Sequence, residues 1–154
     1  MNHFFSSLVL VAGLVAATAC SKKEEATPTP APVLSVVSGT LSGAQEVPAV
    51  TTSATGTVSG TYDKAKMELK YSVTFSGLTP TAGHFHAGTP GTTGPVSLAF
   101  TFNNAAGNGF VSPITGTVTL TAAQNTAILG NSFYANLHST TVPSGEIRAD
   151  VTVK

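Results

Sequence analysis

Residues 66–75, KMELKYSVTF, decide the fold class. Met67, Leu69, Tyr71, Val73 and Phe75 fall on one face, and Lys66, Glu68, Lys70, Ser72 and Thr74 on the other. Successive side chains of an extended chain point to opposite sides, so this alternation describes a strand with one face in a core and one in water. Ile147, Ala149, Val151 and Val153 repeat the pattern against Glu146, Arg148, Asp150 and Thr152. Further strand candidates are 34–41, 56–62, 82–87, 96–102, 114–120 and 132–138, punctuated by Gly, Pro and Asn. Residues 121–129 are the helical candidate, with Thr121 as the cap. About eight short strands at this spacing predict an all-β fold, an antiparallel β-sandwich or flattened barrel. Tyr71, Val73, Phe75, Phe85, Leu137 and Ile147 are its expected core.

Outward from the strands, composition excludes several classes. In a chain of 154 residues, seven Lys+Arg balance seven Asp+Glu, so there is no basic footprint for nucleic acid and no acidic tail. Cys20 is the single cysteine, which rules out an intrachain disulfide. No nucleophile elbow or phosphate-cradling loop motif is present.

The N-terminal part is expected to be an address. LVLVAGLVAATA (8–19) is an apolar run of signal-peptide length, short for a bilayer span, and it ends in Ala17-Thr18-Ala19-Cys20, like a bacterial lipobox. The expected organisation is a lipoprotein signal peptide over 1–19, a lipidated Cys20 opening a Pro/Thr-rich tether over 20–32, and a β domain over 33–154. SKKEEATPTPAP (21–32) reads as an extended, semi-rigid spacer. The expected location is therefore the bacterial cell envelope, as an outer-membrane lipoprotein, periplasmic or surface-exposed. The lipid bilayer is its first partner and a protein at the cell surface its second.

The chemistry concentrates in histidine. Outside the signal segment, histidine occurs only in GHFHAG (83–88) and YANLHS (134–139). His84 and His86 are two residues apart in a strand candidate, so their imidazoles share a face while Phe85 points to the core. His138 shares a face with Tyr134 and Asn136, opposite Phe133, Ala135 and Leu137. If the two strands are neighbours, three imidazoles can meet one ion. Three neutral nitrogens suit copper or zinc rather than calcium or magnesium. Glu46 is a candidate fourth ligand, or an acceptor that orients a histidine. It is also one candidate partner for Arg148, and Glu146 is the other. Two rival readings stand: an extracellular interaction or adhesion module whose histidines pin turns, and a copper redox enzyme. No catalytic residue is assigned.

LSGAQEVPAV (41–50), GHFHAG with GTTGPV (91–96), YANLHS and PSGEIRAD (143–150) together resemble the chordin-type domain, CHRD, in the family's order from about residue 34 to 154. The resemblance implies an all-β module, repeated in the animal extracellular protein chordin and single in many secreted bacterial proteins. Chordin binds growth factors, and a single-domain bacterial lipoprotein need not share that role. The family pattern is carried here by Glu46, His84, His86, Gly88, Gly94, Tyr134, Asn136, His138, Gly145, Glu146 and Arg148. Gly83 stands where Ala is usual. Ala149-Asp150 stand where Gly and a non-acidic residue are commoner.

If Cys20 carries the lipid, Cys20→Ser moves the protein from the membrane to the soluble fraction. Unchanged sedimentation of that variant with membranes refutes the anchor.

Overall fold

Strand alternation continues through the domain because β-branched and aromatic side chains pack well on a pleated surface. The computed structural model describes residue 29 and residues 32–154. The expected signal segment, Cys20 and most of the tether lie outside the described residues. The strands are β1 (Val33–Ser42), β2 (Thr55–Asp63), β3 (Glu68–Ser76), β4 (Pro80–Ala87), β5 (Val96–Ala99), β6 (Ile114–Thr119), β7 (Phe133–Ser139) and β8 (Ile147–Val153). A 3-10 turn covers Gly43–Gln45, and the helix α1 covers Ala122–Leu129.

All eight strands form one antiparallel sheet in the order β5-β4-β7-β8-β1-β2-β3-β6. β3 and β4 are five steps apart in that order, which is about 24 Å in a flat sheet. Yet the rings of Tyr71 on β3 and Phe85 on β4 meet edge to face at 5.1 Å. The sheet therefore curls around its own apolar face into a half-barrel. Of the two expected arrangements this is the barrel-like one. Phe100 completes the contact, 5.0 Å from Phe85 and 5.4 Å from Tyr71. Leu69, Val73, Leu137, Ile147 and Val151 line the same interior.

α1 sits beside the sheet for local reasons. The Thr121 hydroxyl accepts from the Gln124 backbone N–H while the Gln124 side chain accepts from the Thr121 N–H, a capping box as the cap position predicts. The Gln124 amide also donates to the Ser97 carbonyl at 2.6 Å, and the Tyr62 hydroxyl donates to Asn125. Ile128 is buried in the core.

Three expectations are corrected. Met67 lies in the β2–β3 turn with φ +51°, not in the strand; that turn is held by Asp63, which accepts from the Ala65 and Lys66 N–H groups. β5 stops at Ala99, so that Phe100 can turn into the interior. Phe75 is only partly buried, because the β3–β6 ladder ends at the Val73–Ile114 pair and no strand among the described residues covers that flank beyond it.

These burials set the cost of truncation. Phe85→Ala should destabilise the domain by about 3–5 kcal/mol in urea unfolding, and Phe75→Ala by clearly less. Equal losses would contradict the described packing.

Candidate metal centre

The face opposite the core is polar where β4, β7 and β8 adjoin. Register places His84 opposite Asn136 and Asn136 opposite Arg148; the next row is His86, Tyr134 and Asp150. The i, i+2 spacing of the sequence thus becomes a grid of polar side chains. The grid is covered by the loop after β4. Ala87 N–H donates to Pro95 O, Gly88 N–H to Ser132 O, and Gly94 N–H to the Tyr134 hydroxyl.

Two backbone carbonyls fix the histidine tautomers. His86 Nδ1 lies 3.0 Å from Gly94 O, and His138 Nδ1 lies 2.9 Å from Pro143 O. A carbonyl only accepts, so both Nδ1 atoms carry hydrogen and both Nε2 atoms are left as lone pairs in the neutral rings. His86 Nε2 is buried without a hydrogen-bond partner among the described residues. His138 Nε2 lies 3.1 Å from His84 Nδ1. One ligand atom from each of His84, His86 and His138 lies within 4.8 Å of the others. Two nitrogens bound at about 2.0–2.1 Å to a tetrahedral ion are about 3.3 Å apart; the His84–His138 pair stands near that spacing, and the wider span of the full set is compatible with one small ion once the rings draw together.

Protonation follows burial. Desolvation is the largest effect on His84 and pushes its pKa below the ordinary value, helped by His138 and His86. His86 is also lowered, again chiefly by burial, against the Gly94 carbonyl and the nearby Asn136 amide. Both shifts favour the neutral imidazole, the form able to offer a lone pair.

Glu46 stands outside the convergent group. It shares Asn136 with His86: the Asn136 amide bears on the protonation of both. Burial raises the Glu46 pKa to about 7, against the opposing pull of Arg148 and Asn136. Oε1 of Glu46 and Oδ1 of Asn136 are buried without a hydrogen-bond donor among the described residues. Gly145, with φ +127°, makes room there, since a Cβ on it would lie 2.8 Å from both Asn136 Nδ2 and Glu46 Oε1.

Arg148 does not pair with Glu146 or with Glu46 as expected. Its guanidinium, 1% exposed, donates to Asp150 at 2.9 Å and to the Thr92 carbonyl at 2.7 Å. It lies over the Tyr134 ring, 3.5 Å from the centroid. Tyr134 in turn stacks on His86, with centroids 4.8 Å apart and planes 6° apart. Glu146 instead accepts from Thr52 and Ser139, because it precedes β8 and faces the loops there. This Tyr134 stack, and the Gly94 and Pro143 carbonyls, escape sequence reasoning. Only GTTGPV beside GHFHAG hints that a loop folds back on the second histidine.

The CHRD domain model matches residues 37–151. The chain belongs to the CHRD domain family. Neither the curated proteins nor the solved structures provide a match. Three of the CHRD motifs meet at the grid. GHFHAG supplies two histidines, YANLHS the third together with Tyr134 and Asn136, and PSGEIRAD supplies Arg148 and Asp150. Gly83 faces the core, where an added Cβ would lie 2.6 Å from Phe100 and 2.7 Å from Leu137. That crowding leaves no room for a methyl group at position 83 unless Phe100 or Leu137 shifts. Gly94 is the most tightly enclosed glycine at the site, since a Cβ there would lie 1.7 Å from the Ala87 carbonyl oxygen.

Gly94→Ala should therefore displace the loop and release the His86 ring, at a cost of about 1–3 kcal/mol. The His86 ring resonances in an NMR spectrum report the change. Unaltered His86 shifts would show that the loop does not hold the ring.

Proposed function

We propose that this CHRD domain binds a transition-metal ion, copper or zinc, through His84, His86 and His138. One observation supports this above the rest: carbonyls hold two of the rings in the tautomer that leaves Nε2 unprotonated, and one ring nitrogen from each of the three histidines lies within 4.8 Å of the others. In this reading Glu46 acts through Asn136 on the orientation of His86 and does not itself hold the ion. A bound ion of this kind supplies a positively charged centre for carriage or for polarising a ligand. The chain's own residues hold the rings neutral, fix their planes and keep water from His86.

The domain is further proposed to work as an exported, lipid-anchored protein of the bacterial cell envelope. What supports this is the apolar run 8–19 ending at Cys20 and the tether that follows.

Calorimetry with copper and zinc salts at neutral pH tests the metal reading. The expected result is saturable binding with Kd well below about 1 mM. Any single His→Ala change should weaken it sharply, and Asn136→Ala should weaken it by about 10–100-fold. No binding tighter than about 1 mM would refute the reading. The sign of the pH dependence follows from burial. Affinity is fully present above the ordinary histidine value of about 6.5 and falls as pH drops through the lowered pKa range of His84 and His86. The same lowering removes stability from the metal-free protein in that window, because the unfolded chain takes up those protons first. Urea midpoints measured against pH check this.

A further inference from the structure

A second site has no histidine in its lining. Glu146 is 7% exposed, so its carboxylate is largely withdrawn from water. It accepts from the Thr52 hydroxyl at 2.7 Å and from the Ser139 hydroxyl. Those two hydroxyls in turn accept from the Ala54 and Val142 N–H groups, which fixes their direction. Among the described residues the ion pairs are Lys66–Asp63, Lys70–Glu68 and Arg148–Asp150. Glu146 is in none of them. A buried carboxylate whose donors are both neutral keeps its charge uncompensated, so a cation that reaches it is favoured there.

Glu146 also lines an open bay of about 470 Å³, with Gly77, Leu78, Thr79, Thr140 and Thr141. The bay has no histidine or cysteine, so it does not suit a transition metal. Glu146 is its only carboxylate, whereas calcium takes about 6–8 oxygens. The volume exceeds that of a bare ion and matches a small organic group. Leu78, half-buried, offers an apolar wall beside the threonine hydroxyls.

We propose that this bay binds a primary alkylammonium group, its stem against Leu78 and its head at the Glu146 carboxylate. The source is either a free amine or a lysine side chain of another polypeptide, since both present the same head and stem.

Amide chemical shifts of the folded full domain, recorded during titration with cadaverine and with N-acetyl-lysine amide, test the assignment. Saturable shifts at Thr79, Thr140 and Thr141 are expected with both, and none with N-acetyl-norleucine amide, which lacks the charge. Tighter binding of cadaverine would assign a free amine, and tighter binding of the lysine amide a polypeptide. Glu146→Gln should weaken binding by about tenfold or more. Thr140→Trp, which fills the mouth and leaves Glu146 and its two hydroxyls in place, should do the same. Absence of saturable shifts overturns the proposal, as does an equal response to the norleucine amide. So does binding unchanged in both variants, or saturation by calcium chloride in place of the amines.

Discussion

The edge-to-face contact of Tyr71 with Phe85 is the interaction on which the rest of the structure depends. It joins strands that a flat sheet would hold far apart, so it exists only if the sheet curls. Curling puts every apolar alternate side chain of β3, β4, β7 and β8 on the concave side. The strand pleat then leaves no choice for the residues between them. Phe85 inside means His84 and His86 outside, and Leu137 inside means His138 outside. The polar grid is thus a by-product of burying aromatic rings.

What converts a row of outward side chains into a site is the cover over it. Strands with one face in solvent would leave three mobile imidazoles. Here the loop that follows β4 returns over Tyr134, and Arg148 clamps it through the Thr92 carbonyl. Arg148 is almost wholly buried, which is costly for a charge unless it is fully met. Asp150, the Thr92 carbonyl and the Tyr134 ring meet it. Truncating Arg148 would therefore loosen the loop, the tyrosine and the histidine behind it together. The charge is placed to hold geometry.

Much of this was legible in the sequence, and the reasons are physical. Period-two alternation sets strand positions and faces, so eight strands, the cap at Thr121 and the shared face of His84 and His86 could be read directly. The adjacency of β4 and β7 depends on long-range pairing, which alternation does not encode. The family motifs bridged that gap by placing GHFHAG and YANLHS in one pattern. Partner choice was harder. Glu146 has the right parity to pair with Arg148 yet turns to Thr52 and Ser139, while Asp150, set aside as a departure from the family, takes the guanidinium. Phe75 has the right parity for the core but lacks a flanking strand. Backbone carbonyls, which decide the tautomers, leave no mark on side-chain sequence.

The position of β1 has a mechanical consequence. It is the first strand of the domain, yet it lies inside the sheet, antiparallel to β2 on one side and β8 on the other. Tension on the chain before Val33 runs along β1, while the hydrogen bonds of both ladders lie across it. Such a load shears two ladders at once and does not peel one bond after another. A domain threaded this way resists being dragged by its leading end. An edge strand in the same place would unzip.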